Sequence, residues 1–369
     1  MTAIALVAAV GLASCGTAPP AAGHRSHPSP TVSERPSPFN SPVASPGNQS
    51  LSCQLPIYGS SVVVSSSSTQ QAGGLLALPS GAVTAESLTS LTPVSGQFDE
   101  WQSQTTPALF GDSSVESYDS VLGRWVPATP AEIAPTGTQY AYVVVGDITQ
   151  PQTTPVYVHL VTIATASDEV IYSSGQTEVL GWDQGQLLLV DHLPTSSVTT
   201  GLKTIDPASE QINTLEPNTS GVEWYLASPG AVWGGELNSS DPTPPQVQVP
   251  QDEALRYDLA TGRVTVWSYH PGDQVTVVGT TASGAPLELI QSPSQADLEV
   301  ATSSTTSSTL LSGPGLASGQ GLAIYSTYTD SHGTWIGTDQ GLYLLTAALR
   351  LIPEQAGNFA NATIVGACG

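Results

Sequence analysis

Leu255–Thr265 (LRYDLATGRVT) is an apolar segment, a polar turn and a second apolar segment, the pattern of a short β-hairpin. The same unit recurs as Leu75–Thr84 (LLALPSGAVT), Glu116–Val126 (ESYDSVLGRWV), Leu160–Val170 (LVTIATASDEV) and Leu202–Ile212 (LKTIDPASEQI). Aligned at the last turn position, the five copies place Gly81, Gly123, Asp168, Glu210 and Gly262 in register, at intervals of 42, 45, 42 and 52 residues. The long interval contains Ser239–Pro250 (SSDPTPPQVQVP), a Pro-rich insertion of about the excess length. Leu298–Leu311 and Leu342–Ile352 continue the beat, which makes seven units between Cys53 and Gly369. A repeat of about 40–45 residues built from short strands is one blade of a β-propeller.

Working outward from the hairpins, a second turn signal stands between them. It is Ala134–Gly137 before Gln139-Tyr140, Trp182–Gly185 before Gln186-Leu187, and Ser228–Gly230 before Ala231-Val232. These turns predict the inner two strands of each blade, and the hairpins predict the outer two. The segments are β-branched and short, and no stretch reads as a capped amphipathic helix of ten residues. Gly341–Ile352 breaks better as a hairpin. The fold class is therefore all-β, a single β-propeller of seven four-stranded antiparallel blades with its termini brought together. Ala362–Val365 (ATIV) is a lone C-terminal strand, and the first blade has only Leu55–Ser65 ahead of its hairpin, so the C-terminal strand is expected to complete the N-terminal blade. A pair of β-sandwich domains split near Pro242–Pro250 is the competing architecture, disfavoured by the regular beat.

The turns APTGTQYAY and GWDQGQLLLV resemble those of TolB-like and WD-repeat-like β-propellers. The hairpins YDLATGRV and IDPASEQI resemble the outer hairpins of the same families, and Thr334–Thr346 is similar to propeller repeats of sensor ectodomains. The resemblance implies architecture and carries no functional residue with it, because one fold hosts many functions.

The N-terminus carries a different signal. Ile4–Ala13 is an apolar run too short to span a bilayer and of the length of a secretory h-region. Leu12-Ala-Ser-Cys15 resembles a bacterial lipobox, which implies acylation at Cys15 and residues 1–15 as signal peptide. No basic residue precedes Ile4, which points to a start upstream of Met1. Residues 16–52, rich in Pro, Ser and Ala, read as a tether between lipid and folded domain. His24 and His27 lie in it with nothing to fix a metal-binding geometry. The remaining cysteines, Cys53 and Cys368, flank the 53–369 domain and are expected to form a disulfide outside the cytoplasm. The expected address is the bacterial cell envelope, lipid-anchored and extracytoplasmic.

Composition narrows the function. Seven Lys+Arg against 30 Asp+Glu give a net charge of −23, which excludes nucleic acid and anionic lipid as electrostatic partners. Charged residues are only 10% of the chain, and hydrophobic ones 39%. No Gly-x-Ser-x-Gly, His-Glu-x-x-His, phosphate loop or Cys-x-x-Cys is present. The histidines His159, His192, His270 and His332 are dispersed, and no metal or cofactor is expected. Asp183, Asp191, Glu223, Glu236 and Asp273 lie near predicted inner turns, where a glycosidase would need a facing pair. Arg124, Lys203, Arg256, Arg263 and Arg350 all fall in the outer hairpins, where they read as edge charges against aggregation. That leaves no arginine to clamp an anion, and Tyr328–Trp335 only partly matches an Asp-box turn, so a sialidase is rejected. The seven tryptophans, from Trp101 to Trp335, read as packing between blades, and the sequons at Asn48, Asn218, Asn238 and Asn361 as chance. The reading is a monomeric binding or scaffold module for a protein or envelope ligand, with no catalytic residue. A hydrolase or lyase acting on a neutral glycan through axial carboxylates is the alternative, and a ligand-sensing ectodomain a third.

Overall fold

The computed structural model describes residues 51–59, 72–86, 117–126, 128–145, 155–165, 167–192, 199–216, 222–236, 252–315, 321–356, 359 and 362–369. The signal peptide, the tether up to Ser50, His24, His27, Trp101, the four sequons and the Ser239–Pro250 insertion lie outside these residues. Seven antiparallel sheets follow one another along the chain. The first holds β1 (Cys53–Gly59), β2 (Ala72–Leu78) and β3 (Ala82–Glu86). The second holds β4 (Ser117–Asp119) and β5 (Arg124–Val126), and the third β6 (Gln139–Val145), β7 (Val156–Thr162) and β8 (Ser167–Ser174). The fourth runs β9 (Thr177–Asp183), β10 (Gln186–His192), β11 (Thr199–Asp206) and β12 (Gln211–Glu216). The fifth runs β13 (Val222–Ser228), β14 (Ala231–Glu236), β15 (Glu253–Asp258) and β16 (Arg263–Tyr269). The sixth comprises β17 (Gln274–Thr280), β18 (Pro286–Gln291), β19 (Gln295–Ser303) and β20 (Thr306–Pro314). The seventh comprises β21 (Ile324–Asp330), β22 (Gly333–Thr338), β23 (Gly341–Leu345) and β24 (Leu351–Ala356), and β25 (Thr363–Ile364) ends the chain.

Each sheet is a blade, and the ring they form is a seven-bladed propeller. The first strands of successive blades, β9, β13, β17 and β21, contact one another and so surround the axis. Among the described residues, blade 2 shows two strands and blade 3 shows three. The three-residue 3-10 turn Pro130–Glu132 and the Ile133–Tyr140 bridge occupy the inner position of blade 3.

Burial explains the continuous apolar runs. A central strand stacked between two neighbouring blades has both faces covered, so alternation disappears. Leu187, Leu188, Leu189 and Val190 of β10 are all at 0% exposure. Leu187 and Leu189 pack with Ala141, Val158 and Leu160 of blade 3, whereas Leu188 and Val190 pack with Val222, Trp224 and Leu255 of blade 5. Trp125, Trp224, Trp233 and Trp335 are buried in the same inter-blade layers, as their recurrence suggested.

The hairpin turns obey one backbone rule. The aligned residues Gly81, Gly123, Glu210 and Gly262 all have positive φ, at 74°, 62°, 56° and 67°. At three of them the amide closes on the carbonyl four residues earlier: Gly81 on Ala77, Glu210 on Asp206 and Gly262 on Asp258. Asp119, Asp206 and Asp258 brace their turns by accepting from the amides of Val121, Ala208 and Thr261. Asp168 breaks the alignment: it lies inside β8, because blade 3 turns a few residues earlier. Of these four aligned turns, Glu210 puts a Cβ where the other three have glycine, a conformation costing an L-residue about 1 kcal/mol. Glu210→Gly is therefore expected to raise stability by about 0.5–1 kcal/mol, read as a higher denaturant midpoint at unchanged slope.

Bulges repeat as faithfully as the turns. One residue of the innermost strand is left out of register in blades 4 to 7: Leu180, Tyr225, Val278 and Tyr325. One residue of the outermost strand is left out in blades 3 to 7: Ile171, Leu215, Trp267, Leu310 and Glu354. Such bulges increase local twist and interrupt the ladder at sheet edges. Here they sit at both open edges of the blade.

The ring closes as the termini suggested. Ile364 and Thr363 pair with Ile57 and Tyr58, so β25 supplies the innermost strand of blade 1. The pairing continues past β25, where Gln54 and Gly369 exchange both backbone hydrogen bonds. Cys53 and Cys368 form a disulfide across this seam, with Cα atoms 5.5 Å apart and a sequence separation of 315. The two-sandwich alternative is thereby excluded.

Candidate functional site

The inner strands use only one of their two backbone edges within a blade, since each has a sheet neighbour on one side only. The other edge faces the axis, and unmet amides and carbonyls there would be costly if buried. Neighbouring blades meet part of this need with groups from one another, and tie their inner turns together in the same way. Trp182 Nε1 of β9 donates to the Glu132 carbonyl of blade 3 at 2.9 Å. The Gly230 amide of blade 5 donates to Asp183 Oδ1 of blade 4 at 3.0 Å. The Val277 amide of β17 donates to the Tyr225 hydroxyl of β13 at 3.0 Å. Thr327 and Thr329 of β21 donate to the carbonyls of Val278 and Thr280 of β17, both at 2.8 Å. Ser326 accepts from the Ile364 amide at 2.7 Å, and Asp330 Oδ2 from the Cys368 amide at 2.9 Å. The Tyr118 amide then reaches Val365 O at 2.9 Å and joins blade 2 to blade 1. Two of the bulged residues, Tyr225 and Val278, take part in this girdle, which runs from blade 3 through blades 4 to 7 to blade 1 and on to blade 2.

The carboxylates singled out from the sequence sort against it. Asp183 is engaged with the Gly230 amide. Asp191 accepts from Thr177 at 2.6 Å, from Ser174 at 3.2 Å and from Tyr172 at 3.3 Å, and is ion-paired with Lys203. Lys203 also donates to the Tyr172 hydroxyl at 2.6 Å and lies over its ring. Burial draws the Lys203 ammonium down, but its bonds to Asp191 and Tyr172 outweigh that and raise it. The cluster joins blades 3 and 4. Glu223 lies on β13 and Asp273 in the turn before β17, where its amide bonds His270 O. Glu236 ends β14. The structure does not bring these five acids together into one cluster.

The histidines are likewise engaged singly. His159 Nδ1 meets Asp168 at 2.9 Å, with the Tyr142 ring stacked on it and the Tyr142 hydroxyl donating to the other Asp168 oxygen. His192 meets Glu178 at 3.3 Å and His332 meets Asp330 at 3.4 Å. Among the described residues no group of three or more His, Cys, Asp or Glu could hold a metal ion.

The cations require a correction. Lys203 and Arg256 lie on third strands, β11 and β15, rather than on the edge. They are held inward by Asp191 and by Asp258, and Arg256 lies against the rings of Trp233 and Trp267. Arg263 opens the outermost strand β16 and fits the edge reading.

Two acids that sequence reasoning passed over are the most perturbed. Burial pushes the Glu132 carboxyl from its ordinary value near 4.5 up to about 7, against the lowering effect of its bond from the Thr129 amide. Burial likewise pushes Glu288 up to about 7, with Glu299 adding to the rise. The clue to Glu288 was a lone acid inside the apolar run PLELI of β18.

With this geometry in view, the chain can be set beside known proteins. It is similar to TolB from Acinetobacter baumannii, at 12% identity over 85% of this chain and 66% of that one, with a TM-score of 0.40. It is similar to the β-propeller domain of the trilobed protease from Pyrococcus furiosus, at 10% identity over 77% and 74%, with a TM-score of 0.40. It is similar to a prolyl endopeptidase, at 12% identity over 81% and 47%, with a TM-score of 0.49. The chain thus spans just under two thirds of the TolB chain and about half of the endopeptidase chain. No family model and no curated protein matches the sequence.

Proposed function

We propose that the chain is a lipid-anchored, extracytoplasmic β-propeller that binds a protein or an uncharged envelope component, acts as a monomer, and catalyses nothing itself. The observation that carries this is the use made of its acids. Asp183, Asp330 and Glu132 serve the girdle or its turns, and Asp191 is saturated by four donors. General acid–base chemistry on a glycan needs two carboxyls free to meet one bond from opposite sides. The disulfide supports an oxidising compartment. No described helix is long and apolar enough to cross a membrane, and the attachment in this reading is acylated Cys15.

The test is fractionation of bacteria expressing the full chain or its Cys15→Ala variant, with palmitate labelling. The native chain should sediment with membranes and carry label, and the variant should be released without it. Equal retention of both would remove the anchor. New reducing ends from a neutral polysaccharide incubated with the purified protein would overturn the non-catalytic part.

A further inference from the structure

The outermost strands present open backbone edges, the surface on which a further strand can be added. Several are guarded by charge or proline: β8 by Glu169, β16 by Arg263, and β24 by Pro353 and Glu354. β20 (TSSTLLSGP) has nine residues, no charge, and no proline before its last position. Between its bulge at Leu310 and a second shift of register at Thr302 of β19, Ser307–Thr309 form a regular, largely exposed stretch.

The acids behind this edge lack a cation. Glu288 of β18 and Glu299 of β19 stand directly opposite one another, an arrangement that like charges disfavour. Glu288 is at 0% exposure, accepts from Ser268 Oγ at 2.8 Å through Oε1, and has no partner at Oε2. Glu299 accepts from Ser307 Oγ at 2.5 Å and Thr309 Oγ1 at 3.0 Å, both on β20. Neither acid enters any ion pair among the described residues. Asp297, two positions from Glu299 on β19, bonds Gln295. Strands lie about 4.8 Å apart, so a long side chain on an added strand passes over the small Ser307 and Thr309 to Glu299.

We propose that β20 is a strand-addition site for an extended, cationic peptide segment of a partner, whose Lys or Arg opposite Thr309 pairs with Glu299. The inference rests on the chain being a binding module and says which edge and which partner chemistry it uses. The net charge of −23 attracts such a segment from a distance, and the uncharged edge admits its backbone.

The probe is a fluorescent ten-residue peptide of alternating valine and lysine, titrated into the full chain at physiological salt and compared with its valine–glutamate counterpart. Only the lysine peptide should bind, and it should slow amide exchange along β20. Thr309→Lys supplies the missing cation in cis and guards the edge, so it should weaken binding by roughly tenfold or more while leaving the fold intact. Ile212→Lys makes the same charge change on another outermost strand and should alter binding by less than about twofold. Equal losses in both variants would mean diffuse attraction to an acidic surface and would overturn the site, as would binding of the glutamate peptide or no binding of the lysine peptide. Self-association abolished by Thr309→Lys would assign the edge to a second copy and also overturn it. These outcomes sink the edge alone, whereas polysaccharide cleavage sinks the binding reading itself.

Discussion

Replacement of both Cys53 and Cys368 by alanine is expected to destabilise the propeller by about 4–5 kcal/mol, a fall in melting temperature of roughly 10 °C. The size follows from where the bond sits. It closes a loop of 315 residues, and chain-entropy estimates for such a loop reach about 5–6 kcal/mol. Few other backbone pairs hold the seam. The β1–β25 ladder has two residue pairs, extended by the Gln54–Gly369 exchange and tied to blade 7 through Ser326 and Asp330. Breaking it exposes the inner edge of β1 and the layer of Leu55, Ile57, Leu76 and Trp335 beneath it. The loss should therefore begin locally. Amide exchange at Ile57 and Ile364 should quicken before that of β10 or β14. A double-alanine variant that unfolds at the native midpoint, with unchanged exchange at the seam, would show that the blades close the ring without the bond.

The propeller was legible in the sequence because its cause is local and repeated. Each outer hairpin needs a left-handed residue at one position, and Gly81, Gly123 and Gly262 advertise it at the blade interval. Strand β10 shows its place as plainly, since a short run of four apolar residues behind a Gly-containing turn fits a strand covered on both faces. The seam was readable because two cysteines marked it. The girdle was not, because its members are ordinary threonine, serine and tyrosine side chains whose role depends on a bulge in the neighbouring blade. Nothing local to Thr327 says that Val278 O will be left unpaired 49 residues earlier. Lys203 and Arg256 misled for a related reason. Their hairpins were correctly placed, but which strand of a hairpin is the edge is settled by the sheet. For the site the sequence offered exclusions, and these held more information than any single residue type.

Glu288→Gln should flatten the dependence of the protein's stability on pH. The folded value of Glu288 lies near 7, above its ordinary 4.5. A carboxyl shifted upward favours folding while it is protonated in both states, below about 4.5. It then costs stability progressively as the pH rises toward the folded value, because the unfolded chain ionises first. From this residue alone the native protein is expected to lose about 2–3 kcal/mol between pH 5 and pH 8. The glutamine variant keeps an oxygen for the Ser268 hydroxyl and cannot ionise, so it should match the native chain at pH 5 and exceed it by most of that amount at pH 8. Glu132, raised by the same cause, should leave a smaller slope of the same sign in the variant. Urea midpoints at the two pH values decide the matter. A native protein more stable at pH 8 than at pH 5, or a glutamine variant that gains nothing at pH 8, would mean that Glu288 finds a cation or water in solution. The measurement also bears on the open edge, since a cation reaching Glu299 lowers the charge facing Glu288. A lysine peptide bound along β20 should therefore shrink the loss of stability between pH 5 and pH 8.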